Sequence, residues 1–579
     1  MGDAAASTAD APVAARGRWV GLAFLLGGVL LVAMDQTVVA VVLPRLTADL
    51  HIGVDAAAWT VTTFVLVAAV ALTPMGQLAD HIGRRRLLLL GLLAFALGSL
   101  LTALAANLGW LLVGRALQGL VLAALAPAIL GLLNLSFPDG PARTLAFALW
   151  STTTASAVAI GPLVGGAFAG LASWRDAFLI NPPLCLLVAL GVLFFVADDR
   201  TAPMPPDIAA PGAGDGAKAP AAGGGLDLPG VLLLGLTMIT LVLGLQQGDA
   251  WGWWRAAGPL ALAGLSPVPW LLAAAVVLAL GLLLLERARS RAARPALLAP
   301  EILGVASFRV SLIAAGLSSM ALYGLVIVLP IYVQFVLGAS PLEAGVALCL
   351  LGAGMGIGGL ASKWLIGRLG RKRLALLALA LQIIVLAAMI PTIALSASTT
   401  ATAALLLPYG MAYSATFSAL MNRLLSEVPP ALSSRAAGLN ATVRLGLAAL
   451  STAVMVGVVI GVSVADTRDA LIENTALSGT QRATLERMTH FQVGSGAART
   501  DDRQVLAAMA AEPTLAPLVT EVRRGFVAAG RAAIAAAAGF VALGLIVAFR
   551  LPPEPPPSLR GSAPGAAAPP DEVREHDPR

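Results

Sequence analysis

Apolar residues in this chain gather into long runs separated by short polar breaks. The runs lie near 19–44, 57–79, 86–106, 108–133, 143–171, 175–196, 228–247, 268–286, 307–336, 343–367, 372–394, 400–424, 433–462 and 525–549. A helix that crosses the hydrocarbon core of a bilayer needs about 20 such residues. The pattern therefore predicts about fourteen spanning helices and an all-α integral membrane fold. Glycine and alanine recur within the runs, and small residues let helix backbones approach closely in lipid.

The polar segments divide the chain. Residues 1–18 read as a cytoplasmic tail, and 197–227, rich in Pro, Gly and Ala, as a flexible cytoplasmic linker. Residues 287–306 form a basic cytoplasmic loop. Residues 463–523 are far more charged, and their helix-like apolar spacing predicts a small ordered extracytoplasmic cap. Residues 551–579 read as a disordered cytoplasmic tail. The loop Gly83-Arg84-Arg85-Arg86 recurs as Gly370-Arg371-Lys372-Arg373 after a similar helix pair. That repeat predicts two six-helix bundles, 19–196 and 307–550, with two additional transmembrane helices, 228–286, between them. Short loops on one side carry most of the arginines, so the positive-inside rule puts both termini in the cytoplasm.

Composition sharpens the class. The 579 residues are 58% hydrophobic and only 12% charged, against about 25% charged in soluble chains. The net charge of +6 sits in the short connectors, where it acts as a topology signal rather than a nucleic-acid surface. Cys185 and Cys349 lie within apolar runs and far apart, which argues against a disulfide framework or a thiolate metal site. The four histidines have no metal-ligand spacing, no nucleophile–base set is apparent, and no phosphate-binding Gly-x-x-x-x-Gly-Lys-Ser/Thr loop occurs. No metal, cofactor or enzymatic activity is expected.

One acid interrupts the first run. Asp35 stands in Met34-Asp35-Gln36-Thr37, where a carboxylate costs about 2.5–3.5 kcal/mol on insertion scales. Such a residue is functional by default, and its partner belongs elsewhere in the chain.

Four motifs then carry a resemblance. They are Asp35-x-Thr37 with Leu43-Pro44; Gly76-Gln-Leu-Ala-Asp80-His81-Ile-Gly83-Arg84-Arg85-Arg86; Arg115-Ala-Leu-Gln118-Gly119; and Gly161-Pro162-Leu-Val-Gly165-Gly166 followed by Trp174-Arg175-Asp176-Ala-Phe178-Leu-Ile-Asn181-Pro-Pro183. In this order they resemble the major facilitator superfamily, in its fourteen-span drug:proton antiporter branch (EmrB/QacA-like). The resemblance implies that fold, alternating access, and export of lipophilic small molecules driven by protons. In exporters of that family the Gly161–Gly166 motif is associated with the direction of transport. The departures are His81 where the family has Arg or Lys, Ala157 for a preceding glycine, and Asp176 for an aromatic.

The residues support a coupling role on physical grounds. Span one runs outward and span four inward, which puts Asp35 about 6 Å and Arg115 about 9 Å beyond the midplane on the same side. Opposite charges at matching depth can pair, and burial and the arginine push a carboxylate's proton affinity in opposite directions. Asp35 and Arg115 are thus the candidates for proton coupling, a purely structural ion pair being the alternative. A potential of about 150 mV supplies roughly 3.5 kcal/mol per proton, enough for a gradient of roughly 300-fold. Gly76, Asp80, Gly83, Arg84, Arg85 and Arg86 read as a gating loop, with the arginines alternatively a topology signal alone. The repeated loop has Gly367 in place of Asp80.

Candidates to line a substrate cavity are Gln36, Thr37, Gln118, Tyr323, Phe335 and Tyr413. Arg423, Arg444 and Arg531 are expected near helix ends as anchors or salt-bridge partners. Glu343, at a helix start, reads as structural before coupling. The expected partners are a small-molecule substrate, protons and the lipid bilayer, with accessory envelope proteins an open class and nucleic acid excluded. The expected location is a bacterial inner membrane. A proton symporter or a lipid or metabolite transporter on the same scaffold is the alternative function.

Overall fold

In the computed structural model, residues 10–137, 140–197, 227–255, 265–292, 300–395, 398–426, 428, 433–473 and 516–553 are described. Among them the chain is helical almost throughout. The helices are α1 (Asp10–Leu50), α2 (Val54–Ile82), α3 (Arg84–Ala103), α4 (Leu108–Ser136), α5 (Gly140–Leu171), α6 (Asp176–Leu179), α7 (Asn181–Phe195), α8 (Leu228–Gln246) and α9 (Gly248–Trp251). They continue with α10 (Pro267–Arg291), α11 (Pro300–Gly304), α12 (Ala306–Phe335), α13 (Pro341–Leu369), α14 (Arg371–Met389), α15 (Thr399–Ser426), α16 (Ser433–Glu473) and α17 (Ala516–Phe549). Twelve candidate spans among the described residues are long and apolar enough to cross a membrane. Two further helices, α2 and α5, hold shorter apolar stretches, Ala56–Leu72 and Ile160–Leu171.

Several boundaries differ from the hydropathy pattern. Helix α1 begins at Asp10, ahead of its apolar span, which starts at Gly17. Span six keeps helical backbone through Ile180 (φ −67°, ψ −27°) between α6 and α7, but Pro182 and Pro183 cannot donate backbone hydrogen bonds, so its hydrogen bonding is interrupted there. Helix α10 carries Arg287, Arg289 and Arg291 on its last turns, which shortens the basic loop. Helices α16 and α17 invade both ends of the 463–523 segment, since polar sequence with helical spacing extends a helix already nucleated in the membrane. The rest of that segment, most of the 197–227 linker and most of the 551–579 tail lie outside the described residues.

Helix starts are fixed by side chains that satisfy unpaired backbone N–H groups. Asn107 caps α4 by accepting from Trp110 N at 3.1 Å, and Ser266 caps α10 by accepting from Val268 N at 3.0 Å. At α13, Ser340 and Glu343 form a reciprocal capping box, with Glu343 Oε2 accepting from Ser340 N at 2.7 Å. That gives Glu343 its structural occupation.

The helices form two bundles plus a pair. Helices α1–α5 and α7 pack on one another, as do α12–α17. The bundles meet along α5 with α13, α2 with α16 and α1 with α12. Helices α8 and α10 pair together, and α8 leans on α2 of one bundle and α16 of the other. The extra pair therefore covers the α2–α16 seam from the lipid side. Leucine, valine and isoleucine side chains such as Leu90, Leu93, Val276, Val277 and Ile384 are exposed, as an outer surface in contact with acyl chains requires.

The internal repeat extends to backbone geometry. Gly83 joins α2 to α3 at φ 93° and ψ 140°; Gly370 joins α13 to α14 at φ 77° and ψ 163°. In each, the glycine N–H donates to the residue four before it, Ala79 O at 3.1 Å and Ile366 O at 3.0 Å. A side chain at either position would be strained, because positive φ with extended ψ is almost confined to glycine.

Candidate functional site: an ion pair inside the first bundle

Asp35 lies in the middle of α1 and is 1% exposed; Arg115 lies on α4 and is fully buried. Arg115 Nη1 donates to Asp35 Oδ2 in an ion pair. The same Nη1 donates to Gln118 Oε1 at 2.8 Å, and Nε donates to the Thr60 carbonyl on α2 at 3.1 Å. The guanidinium plane faces Phe64, 4.3 Å from its centroid, with Phe178 at 6.0 Å. The second carboxylate oxygen, Asp35 Oδ1, accepts from Gln118 Nε2 and from Asn181 Nδ2, each at 3.2 Å. Ser99 on α3 ties these amides together, accepting from Gln118 at 2.8 Å and from Asn181 at 3.1 Å.

Each element contributes for a local reason. The α6–α7 break puts Asn181 at the start of α7, with its side chain turned into the bundle. Arg115 and Gln118 are three residues apart and so share one face of α4. The result is a carboxylate held by one cation and two amides in a site with almost no water access. Arg115 Nη2 has no hydrogen-bond partner among the described residues.

Asn181 and Ser99 complete this network although the hydropathy pattern does not single them out. Asn181 stands in the Trp174-to-Pro183 stretch, and its signal is a polar amide directly before two prolines at a helix start. Ser99 carries no signal of its own, since isolated serines are common in membrane helices.

The cavity candidates separate into groups. Gln118 sits with the ion pair, bonded to Asp35 and Arg115 and also to Ser99 and Thr102. Thr37 donates to the Met34 carbonyl at 3.0 Å and lies under Gly161 of α5, so it belongs to helix packing. Gln36 points to the other bundle and donates to the Tyr323 hydroxyl of α12 at 3.1 Å. The Tyr413 hydroxyl of α15 lies 3.2 Å from Ser319 Oγ on α12. Arg444 lies in the first third of α16, with the hydroxyls of Tyr323 and Tyr413 beside its guanidinium. The side chain of Phe335 lies outside the described residues.

The gating-loop residues sit at the α2–α3 turn. Arg84 crosses Gly131 of α4, and Arg85 donates to the Leu193 carbonyl in the last turn of α7, a favourable place for a cation. Arg86 is exposed, Gly76 lies inside α2 and Gly83 is the turn itself. The side chain of Asp80 lies outside the described residues.

The Gly161–Gly166 motif forms two seams on α5. Gly161 and Gly165 admit Met34 and Val38 of α1; Gly166 admits Pro341 and Leu342 of α13. In return, Gly345 of α13 admits Pro162 and Leu163 of α5. Near the same end of the bundles, Gln334 of α12 donates to the Val41 carbonyl of α1 at 3.2 Å. The halves are thus closed on each other at the end where α1, α5 and α12 finish.

Comparison with known proteins agrees with this architecture. Residues 25–453 match the model of the Major Facilitator Superfamily. The chain is 34% identical over 344 residues to the puromycin resistance protein pur8 of Streptomyces alboniger, covering 59% of this chain and 61% of that protein. It is 33% identical to the tetracenomycin C resistance and export protein of Streptomyces glaucescens, covering 61% of this chain and 60% of that one. It is 35% identical to the multidrug efflux pump LfrA of Mycolicibacterium smegmatis, covering 56% and 58%. The matches thus span about three fifths of these relatives' length. A bacterial homologue of the human lysosomal transporter Spinster, solved inward-facing and unoccupied, superposes with TM-score 0.59 at 17% identity, over 93% of this chain and 99% of that one. With the two bundles, the buried ion pair and a family match over most of its length, the chain belongs to the Major Facilitator Superfamily, a family of transporters rather than enzymes.

Proposed function

We propose that the chain exports lipophilic small molecules, drugs or antibiotics among them, in exchange for protons. The observation that carries this reading is the Asp35–Arg115 pair, sealed among membrane helices and held by Gln118 and Asn181. A buried pair is poor at stabilising a fold compared with apolar packing, so its retention points to work done by protonation. Loading a proton on Asp35 releases Arg115, Gln118 and Asn181 to rearrange, which repacks α1 against α4 and α7. Helix α1 also carries Gln36 to the other bundle, so the same element reports the change to the interface between halves.

Gln36, Tyr323 and Tyr413 are read as substrate-facing, and the α2–α3 turn with its arginines as the cytoplasmic gate. The closed end is read as the outer side, with both termini cytoplasmic and the chain in a bacterial inner membrane. Residues 19–196 and 307–550 then rock about the central site, with 228–286 as the added pair. Resistance and export relatives at 33–34% identity support the direction.

The test is drug susceptibility of an efflux-deficient host expressing the chain or Asp35→Asn. The expected result is raised tolerance to several lipophilic compounds with the parent chain and loss of that tolerance with the variant at equal expression. Tolerance unchanged by the variant contradicts the coupling role. No tolerance to any compound contradicts export.

A further inference from the structure

We propose that Arg444, Tyr323 and Tyr413 form a binding site for a single oxyanion carried by a lipophilic substrate. The inference deepens the export reading by naming a substrate class, and it rests on that reading.

Arg444 is a half-buried guanidinium inside a membrane helix, where a charge is costly without a partner. Asp35 answers Arg115 in the first bundle, but among the described residues no ion pair includes Arg444. Its neighbours are the hydroxyls of Tyr323 and Tyr413 and the ring of Phe417, 5.3 Å from the guanidinium carbon to the centroid. The other polar groups of this region are neutral: Ser318 donates to Gln382 at 2.9 Å, and Gln382 to Thr416 at 2.8 Å. The second bundle therefore presents a net positive site.

Tyr323 accepts from Gln36 at 3.1 Å, and the Arg444 guanidinium stands beside the same hydroxyl. Its own O–H can only donate. Ser319 spends its hydrogen on the Ala315 carbonyl, so the Tyr413 hydroxyl donates to Ser319. Tyr413 is satisfied; Tyr323 is not. Arg444 Nε is also buried without a partner among the described residues. One cation and two outstanding donors, with aromatic surface beside them, demand an acceptor that is negative and attached to an apolar body. A carboxylate, phenolate or sulfonate on a lipophilic compound fits, and a dication does not.

Tyr323 is bridged to Gln36, the residue next to Asp35 on α1. An anion that draws the Tyr323 hydrogen and Arg444 toward itself acts on the same helix as the proton site.

The test measures equilibrium binding to the full chain in lipid nanodiscs, with a matched pair of probes: anionic anilinonaphthalene sulfonate and neutral N-phenylnaphthylamine. Arg444→Gln is expected to weaken the anionic probe at least about ten-fold, as loss of a charge-assisted hydrogen bond predicts. It is expected to leave the neutral probe within about two-fold. Arg444→Lys should restore most of the anionic affinity, and Tyr323→Phe should cost a smaller factor for the anion alone. Equal loss for both probes, or unchanged anionic affinity in Arg444→Gln, overturns the proposal. So does a parent chain that binds the neutral probe only. Displacement of the anionic probe by phosphatidylglycerol added to phosphatidylcholine discs assigns the site to lipid headgroups and overturns it as a substrate site. Binding is read without transport, so these results stand apart from the outcome of the susceptibility test.

Discussion

At the scale of single residues, the site is a carboxylate whose environment is specified atom by atom. Arg115 reaches a carboxylate, an amide oxygen and a backbone carbonyl at once, and lays its flat face on Phe64. A lysine is a point charge on a flexible stem and cannot reproduce that fork. Arg115→Lys is therefore expected to fold but to lose at least about ten-fold of its export rate, measured as efflux of a fluorescent substrate from loaded cells. Arg115→Ala leaves Asp35 buried beside empty space, and the cost of breaking a buried pair is about 3–5 kcal/mol. Its thermal unfolding midpoint in detergent should drop sharply, and Asp35→Asn in the same chain should recover much of the drop. The acid and its arginine were legible in the sequence because charge inside an apolar run is conspicuous and depth can be counted along a helix. Asn181 and Ser99 were not, because neutral polar side chains occur in membrane helices for many reasons. Arg444 was legible as a cation in the first third of its helix, but its neighbours Tyr323 and Tyr413 were not, because a linear pattern does not say which helices face α16.

At the scale of elements, glycine decides how helices turn and how closely they pack. Gly83 and Gly370 hold equivalent positive-φ turns in the two bundles, so alanine at either should cost about 1–3 kcal/mol through backbone strain. Both variants should lower the unfolding midpoint while leaving the affinity for a bound ligand unchanged, which calorimetry and a binding titration on the same sample separate. The α5–α13 seam makes a different demand. Gly166 and Gly345 each face backbone of the opposite bundle, so Gly345→Leu wedges the halves apart at the closed end. The expected outcome is greater reactivity of an introduced cysteine at Val41 toward a membrane-impermeant thiol reagent. Unchanged reactivity means that the seam opens and closes independently of this contact. The Gly83 turn was readable from its repeat, and the motif around Pro162 marked a close-packed helix. Its partner was not readable, since nothing in a linear pattern says that α5 meets α13.

At the scale of the whole molecule, two bundles touch chiefly along α5–α13, α2–α16 and α1–α12 among the described residues, and an added pair covers one of those seams. The proton candidate is wholly inside one bundle, and the Arg444 cluster is in the other. Their link is α1, which carries Asp35 inward and Gln36 across to Tyr323. Opening the closed end requires the Gln334–Val41 contact to break and the α5–α13 seam to part. A disulfide between cysteines placed at 41 and 334 should therefore arrest export, with recovery on reduction. The measurement closest to the central claim uses proteoliposomes containing the parent chain or Asp35→Asn, with substrate movement followed under an imposed acid gradient. The parent chain should accelerate substrate movement against the proton flow, while the variant should exchange substrate for substrate at a rate indifferent to the gradient. Gradient-driven transport that survives in Asp35→Asn would contradict the account.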